Sequence, residues 1–335
     1  LTKCSQELWN KTGMQPEYTY LQGKKWVRVD TDMSIFDNDD SKKEGANYTY
    51  DQRFGFAPIF SHLGGGWLIN AQLRPGNAHS YSSGTLDFIQ ESLDIASNMV
   101  NERLLFVADA GFDAGELIAE LINRDDSDFI IKHNLRNESK YKWLEYAREH
   151  GNEVKDYSHK GTSYKVYHGS ITREVEGVPV RQVFELTEYT RKKYQKLLTP
   201  EIILFTAWTS LEEPVEQILQ AYRYRGTSEQ YHAEFKNDLD MERLPSGKFA
   251  VNQAFFHLGM LVYNMLRVIG SDVVISKAVG LKKATRRRLK TIQQNLIYLC
   301  GRLSKSARQF KLKLSCSTGW FNIFCRIYNR LQLSV

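Results

Sequence analysis

The chain is predicted to be an α/β protein built on one mixed sheet: an antiparallel three-strand meander, then further strands added in parallel through helical crossovers. Three observations predict it. Period-two and continuous apolar runs mark strands, and a stripe at steps of three and four marks the first long helix. The two kinds of segment alternate only after a glycine turn has closed the first hairpin. At 335 residues, with 42% hydrophobic and 25% charged side chains, the chain can bury one large core or a core with an inserted subdomain.

Residues 24–32 form the first strand, on which Asp30 and Asp32 share a face at period two. A second extended segment runs from about residue 48 to residue 60. Gly64-Gly65-Gly66 then turns the chain into a third strand over residues 67–73, and Arg74-Pro75-Gly76-Asn77 ends the sheet. Residues 84–101 are helical, because Leu86, Ile89, Leu93, Ala96 and Val100 make one apolar stripe. Residues 104–108 are a continuous apolar run suited to a central strand covered on both faces, ending at Asp109-Ala110-Gly111-Phe112. A short helix (115–123) and a strand (129–132) follow. Three strands, helix, strand, helix, strand is the element order of the ribonuclease H fold.

Residues 24–132 are therefore expected to be the first part of a ribonuclease-H-like core. Residues 133–210 abandon the alternation and read as a strand-rich insertion, with extended pieces at 164–168, 180–186 and 202–208. Helical periodicity resumes near Pro214, so residues 211–272 are expected to be the second part of the core. Its apolar helix, 254–269, should pack on the sheet; broken by His257, Asn264 and Arg267, it is too short to span a bilayer, and no membrane partner is expected. Residues 273–335 read as a basic helical C-terminal region.

The net charge of +6 conceals an asymmetry. After Asp272 no acidic residue occurs, while fourteen Lys or Arg follow, among them Lys282, Lys283, Arg286, Arg287, Arg288, Lys290, Arg302, Lys305, Arg308, Lys311 and Lys313. The remainder holds 31 basic against 39 acidic residues, a net of −8. Neutralising phosphates with release of counterions is what such a tail can do, although a solvated basic helix or an anionic membrane contact fits the same run. Cys4, Cys300, Cys316 and Cys325 form no CxxC pair, which points to a reducing compartment and away from a structural zinc.

Phosphoryl transfer on DNA needs several carboxylates converging on one point, where each supplies hard oxygen ligands to a divalent cation. In this topology one would sit on the first strand, one at the end of the adjacent parallel strand and one on a later helix. Asp32 (with Asp30 as its alternate), Asp109 and Glu229 occupy those places. Each alone has an ordinary reading. Asp109 suits a turn, Asp30 and Asp32 suit the polar face of an edge strand, and Glu229 suits a helix start capped by Thr227 or Ser228. Their coincidence carries the weight. Tyr222, Arg225, Glu229 and Lys236 follow steps of three, four and seven, expected to place them on one side of a helical segment that Gly226 interrupts.

The spacing Tyr-x2-Arg-x3-Glu-x6-Lys, met here by Tyr222, Arg225, Glu229 and Lys236, resembles the signature of a large group of bacterial insertion-sequence DDE transposases. Asp109-Ala110-Gly111-Phe112 is similar to that group's second aspartate motif and Val29-Asp30-Thr31-Asp32 to its first. Leu73-Arg74-Pro75-Gly76-Asn77 and Arg243-Leu244-Pro245-Ser246 resemble segments of the branch whose first motif is Asp-x-Asp-x-Thr. Ser34 stands where that Thr is usual, and the hydroxyl two positions on favours Asp32 over Asp30.

The resemblance, from about residue 24 to the C-terminus, implies cut-and-paste transposition. Asp32, Asp109 and Glu229 would bind two Mg²⁺, with Mn²⁺ able to substitute. One ion would activate water for nicking, and the freed 3′-hydroxyl would later attack target DNA. Tyr222, Arg225 and Lys236 would position phosphates, and the basic tail, including Arg286, Arg287 and Arg288, would hold the backbone. The implied partners are double-stranded DNA, as terminal inverted repeats and as target, and a second copy on paired ends. The implied setting is the bacterial cytoplasm, at the nucleoid. A DNA-binding N-terminal region precedes the first motif in that group, and residues 1–23 read as its remnant. A strand-rich insertion before the glutamate also belongs to it, and a hairpin intermediate is permitted. The rival readings are a catalytically silent, transposase-derived DNA-binding protein and another ribonuclease-H-like nuclease.

Overall fold

In the computed structural model, which describes residues 2–39, 41–275, 286–306, 309–314 and 320–333, the sheet is built outward from one long strand. Helix α1 (Thr2–Thr12) leads into β1 (Tyr18–Leu21) and β2 (Lys24–Met33). Short strands β3 (Phe36–Asp37), β4 (Asn47–Tyr48) and β5 (Phe54–Phe56) form a small separate sheet. Then come β6 (Ile59–Leu63), β7 (Trp67–Gln72), α2 (Thr85–Met99), β8 (Leu104–Ala108), α3 (Gly115–Ile122) and β9 (Ser127–Lys132). After α4 (Lys140–His150), four strands run up and down: β10 (Asn152–His159), β11 (Thr162–Val175), β12 (Val178–Lys192) and β13 (Gln195–Thr209). The chain ends in α5 (Val215–Arg223), α6 (Ser228–Ala233), α7 (Phe249–Ile275), α8 (Leu289–Ile292), β14 (Gly301–Ser306), β15 (Gln309–Leu314) and α9 (Phe321–Leu333).

The large sheet runs β10-β11-β12-β13-β9-β8-β2-β6-β7, with β1 also on β2. β2 is antiparallel to β6 and parallel to β8, and β8 is parallel to β9. The second extended segment expected over residues 48–60 is broken: the chain leaves β5 at Ala57-Pro58 and starts β6 afresh. Proline has no N–H to give to a sheet. Gly66, at φ +92°, closes the β6–β7 turn, where a Cβ would lie 2.6 Å from the Tyr231 ring.

The strands expected over residues 133–210 are present but extend the same sheet. β13 pairs with β9 through Ala207↔Lys132, Trp208↔Ile131 and Thr209↔Ile130, so the chain returns to the strand it left. Two differences concern the C-terminal part. α7 covers 27 residues, not the expected sixteen or so, and by length and composition alone could cross a membrane; half of its most apolar window is buried in the protein. The region after it is not all helical, since β14 and β15 pair as an antiparallel ribbon. Lys282, Lys283, Arg308 and Cys316 lie outside the described residues.

Alternation along β2 explains the layers. Val27 and Val29 pack with Ile89, Leu93, Phe106 and Ile118 beneath α2 and α3. Trp26 faces the other way, with Leu105, Val107, Ile130, Ile218 and Ala221 beneath α5. A third cluster holds Phe60, Phe235, Phe256 and Tyr263 between the sheet and α7. Trp9 of α1 belongs to the first cluster, edge-on to Trp67 at 5.1 Å.

Candidate active site

Along β2, the face that carries Trp26 continues through Arg28 and Asp30 to Asp32; along β8, the face that carries Leu105 and Val107 continues to Asp109. The strands are parallel, with Asp30 beside Val107, so both aspartates emerge at the same end of the sheet. A 3-10 turn over Ala110–Phe112 follows β8 at once. Gly111 is required there, because a Cβ would lie 2.6 Å from the Ser80 hydroxyl oxygen.

Each carboxylate is anchored by one oxygen. Asp32 Oδ1 accepts from the Met33 N–H at 2.9 Å, and Asp109 Oδ1 accepts from the Gly111 N–H at 2.9 Å. Both Oδ2 atoms face one guanidinium: Arg225 Nη2 is 2.6 Å from Asp32 and 3.8 Å from Asp109. The two oxygens are therefore no further apart than the sum of those distances. Arg225 Nε and Nη2 are buried without a directed hydrogen bond, so the close approach to Asp32 is charge on charge with poor angles. Burial pushes the Asp32 carboxyl up to about 7 against the pull of Arg225, with Asp109 adding to the rise. Burial also pushes Tyr222 up to about 12; Arg225 opposes that, and Asp109 and Asp32 reinforce it.

Asp30 is differently engaged. Its Oδ1 takes Arg28 Nη2 at 2.5 Å, both side chains are buried, and Arg28 Nη1 donates to the Ala221 carbonyl. A carboxylate tied into a buried pair is a poor ligand to anything else. Among the described residues Asp32 is paired instead with Arg225, with the His232 ring more distant.

The expected stripe does not hold along its length. A 3-10 turn (Tyr224–Thr227) precedes α6, and a π segment (Glu234–Asp238) follows it, so the rotation per residue changes twice. Ser228, Tyr231, His232, Glu234 and Phe235 are buried and Arg225 is half-buried, whereas Glu229 is exposed. Among the described residues no group of three His, Cys, Asp or Glu could hold a metal ion as they stand. Lys236 donates to the Ile35 carbonyl and pairs with Glu242, both at 2.8 Å. Arg286 pairs with buried Glu234 and lies over the Tyr231 ring at 4.6 Å, and Arg288 grips Asp238 through two hydrogen bonds. Arg287 borders a cleft beside α7. Arg286 and Arg288 thus serve as ties between the C-terminal region and the π segment, rather than as a free cationic run.

Sequence reasoning missed His232. Its Nδ1 is 3.9 Å from Asp32 Oδ2, its ring lies 5.3 Å from that of His62, and burial, then Arg225, holds it down to about 3. The signal was present: His232 is seven residues after Arg225, two helical turns on the same face.

The donor set suits a hard divalent cation in part. Two carboxylate oxygens converge on a position now filled by the Arg225 guanidinium, and Glu229, the third candidate, is exposed and does not meet them there.

A family model described as "Transposase DDE domain group 1" matches residues 3–335. A search of curated proteins returns no match. Among solved structures the chain is similar to a piggyBac transposase in a synaptic complex with hairpin DNA. The TM-score is 0.43 and the identity 11%, covering 80% of this chain and 51% of that one. This chain thus spans about half the length of that relative.

Proposed function

We propose a role for this chain, which belongs to the transposase DDE domain family, group 1: it cuts DNA and joins the freed end to a second DNA site, as a cut-and-paste transposase of an insertion sequence. The observation that carries this is the convergence of Asp32 Oδ2 and Asp109 Oδ2 on Arg225. Parallel neighbours β2 and β8, preceded by an antiparallel hairpin and followed by parallel β9, support a ribonuclease-H-like core for residues 24–132.

Asp32, Asp109 and Glu229 would hold Mg²⁺ or Mn²⁺, which when bound supplies activation of the attacking oxygen and stabilisation of the leaving one. The chain's own residues do the rest. Arg225, displaced from the carboxylates, is free to take a phosphate, for which a planar guanidinium is suited. Tyr222, its phenol kept protonated, can donate to a phosphate oxygen. Burial of Asp32 excludes water from one side of the pair. A second copy on a paired DNA end fits the exposed apolar stripe of α7, Val251, Phe255, Leu258, Val262 and Met265, which recurs at steps of four and three. The bacterial cytoplasm, at the nucleoid, is the proposed setting.

A second reading is favoured by one observation, the exposure of Glu229 with Arg225 between the other two acids: a silent, transposase-derived DNA-binding protein. Nicking of a supercoiled plasmid in Mg²⁺, in Mn²⁺ and in EDTA decides between them. Metal-dependent nicking that Asp109→Asn and Glu229→Gln each reduce to background, with DNA binding kept, supports the enzyme. Binding without metal-dependent nicking in the unaltered chain supports the silent protein.

A further inference from the structure

We propose that the β14–β15 ribbon is a DNA-backbone contact separate from the carboxylate site, which lays one face along the phosphates of a duplex. This deepens the proposed function and rests on it for the identity of the polyanion.

The register sorts the ribbon's side chains into two unlike faces. Arg302 lies opposite Lys313 and Ser304 opposite Lys311, so these four share one face; Leu303 opposite Leu312 and Lys305 opposite Phe310 share the other. Arg302, Lys311 and Lys313 are exposed, and no ion pair ties any of them to a described residue. Asp272 is the last acid in the sequence. The contrast with Arg286 and Arg288 is chemical: those two have carboxylates, and the three cations on this face of the ribbon have none among the described residues. On the other face Leu303, Phe310 and Leu312 are about two-thirds exposed (65%, 66% and 65%), with Lys305 over the Phe310 ring.

A two-stranded ribbon fits the major groove of B-DNA, about 12 Å wide. Residues i and i+2 on one strand stand about 6.8 Å apart, so Lys311 and Lys313 can neutralise separate phosphates while Arg302 reaches from the paired strand. An anionic membrane is the competing partner, but its apolar interior would take the Leu303–Phe310–Leu312 face and leave the three cations pointing away from the headgroups. DNA takes the cationic face whole.

The test is the salt dependence of duplex binding, read by fluorescence anisotropy on a labelled random-sequence duplex. Comparison is between the unaltered chain and R302Q/K311Q/K313Q, with R302K/K311R/K313R as the charge-keeping control. The slope of log K against log salt should flatten by about 2.7 for three lost contacts, at about 0.9 each, and the control should keep it. An unchanged slope in the glutamine variant overturns the ribbon proposal and leaves plasmid nicking, hence the proposed function, standing. Loss of binding to phosphatidylserine vesicles with DNA binding intact also overturns it. If the unaltered chain neither binds duplex nor nicks plasmid, the broader reading falls first. Far-ultraviolet circular dichroism checks that each variant is folded.

Discussion

Replacing Arg225 by Gln removes the strong countercharge that faces Asp32 among the described residues, and the geometry says how unequal its two ion pairs should be. At an effective dielectric constant of about 20, charges 2.6 Å apart attract by roughly 6 kcal/mol and charges 3.8 Å apart by roughly 4 kcal/mol, before desolvation is subtracted. Exposure widens the gap. The Asp32 side chain is 16% exposed and the Asp109 side chain 38%, so solvent screens the longer pair more. Breaking a buried pair from one side costs about 3–5 kcal/mol where the abandoned charge stays ionised, so the comparison is made at about pH 9, above the value of about 7 to which burial raises Asp32. For a chain of 335 residues the unfolding entropy is about 0.7 kcal/mol/K, so R225Q should lower Tm by about 4–7 °C in EDTA. Two double-mutant cycles apportion the loss. The Arg225–Asp32 coupling should be about 2–4 kcal/mol, and the Arg225–Asp109 coupling about 1 kcal/mol or less. Thermal unfolding of R225Q, D32N, D109N and both doubles supplies every term. Equal couplings, or an R225Q variant as stable as the parent, would refute the geometry on which the site rests.

Three further predictions concern other parts of the fold. His168 and then Arg223 hold Glu185 down to about 2, against burial, so its stabilisation is complete above the ordinary carboxyl pKa of 4.5 and disappears as pH falls toward 2. Tm measured against pH should therefore drop less below pH 4.5 in E185Q than in the parent, by about 1–3 kcal/mol on conversion. G66A forces a left-handed backbone on alanine and drives its Cβ into the Tyr231 ring, so urea unfolding should show a loss of about 2–4 kcal/mol. F235A opens the cluster of Phe36, Phe60 and Phe256 around a fully buried ring, and a loss of about 3–5 kcal/mol is expected by the same measurement.

Local chemistry was legible wherever one segment decided the outcome. The run 104–108 became β8, the stripe from Leu86 became α2, and Asp109 stood where a strand ends in a tight turn. What was not legible depended on partners distant in sequence. Asp30 and Asp32 share a face at period two, and Ser34 alone favours Asp32 in the sequence. The physical reason, that Arg28 ties up Asp30 while itself fixed by the Ala221 carbonyl, lies partly in a residue far along the chain. The Tyr222-to-Lys236 stripe assumed 3.6 residues per turn throughout; the 3-10 turn before α6 leaves Glu229 outward and His232 inward, and the π segment after it shifts Lys236. Arg286 and Arg288 looked like part of a free basic run because their partners, Glu234 and Asp238, lie on the far side of α7 in the sequence. The ribbon was missed although Phe310-Lys311-Leu312-Lys313-Leu314 alternates at period two, because the run is short and its basic charge drew the reading toward a solvated helix.

The three-residue seam between β13 and β9 has a kinetic consequence. Residues 133–206 must leave, double back three times between β10 and β13 and close on that seam before Thr209 reaches its place, and α5 and Arg225 come only afterwards. Closing so long an excursion is slow, since chain entropy is lost before any distant pairing stabilises it. During refolding the two aspartates would therefore meet early, on β2 and β8, and stand uncompensated until the guanidinium arrives. A dilute divalent salt in the refolding buffer would shield them in that interval.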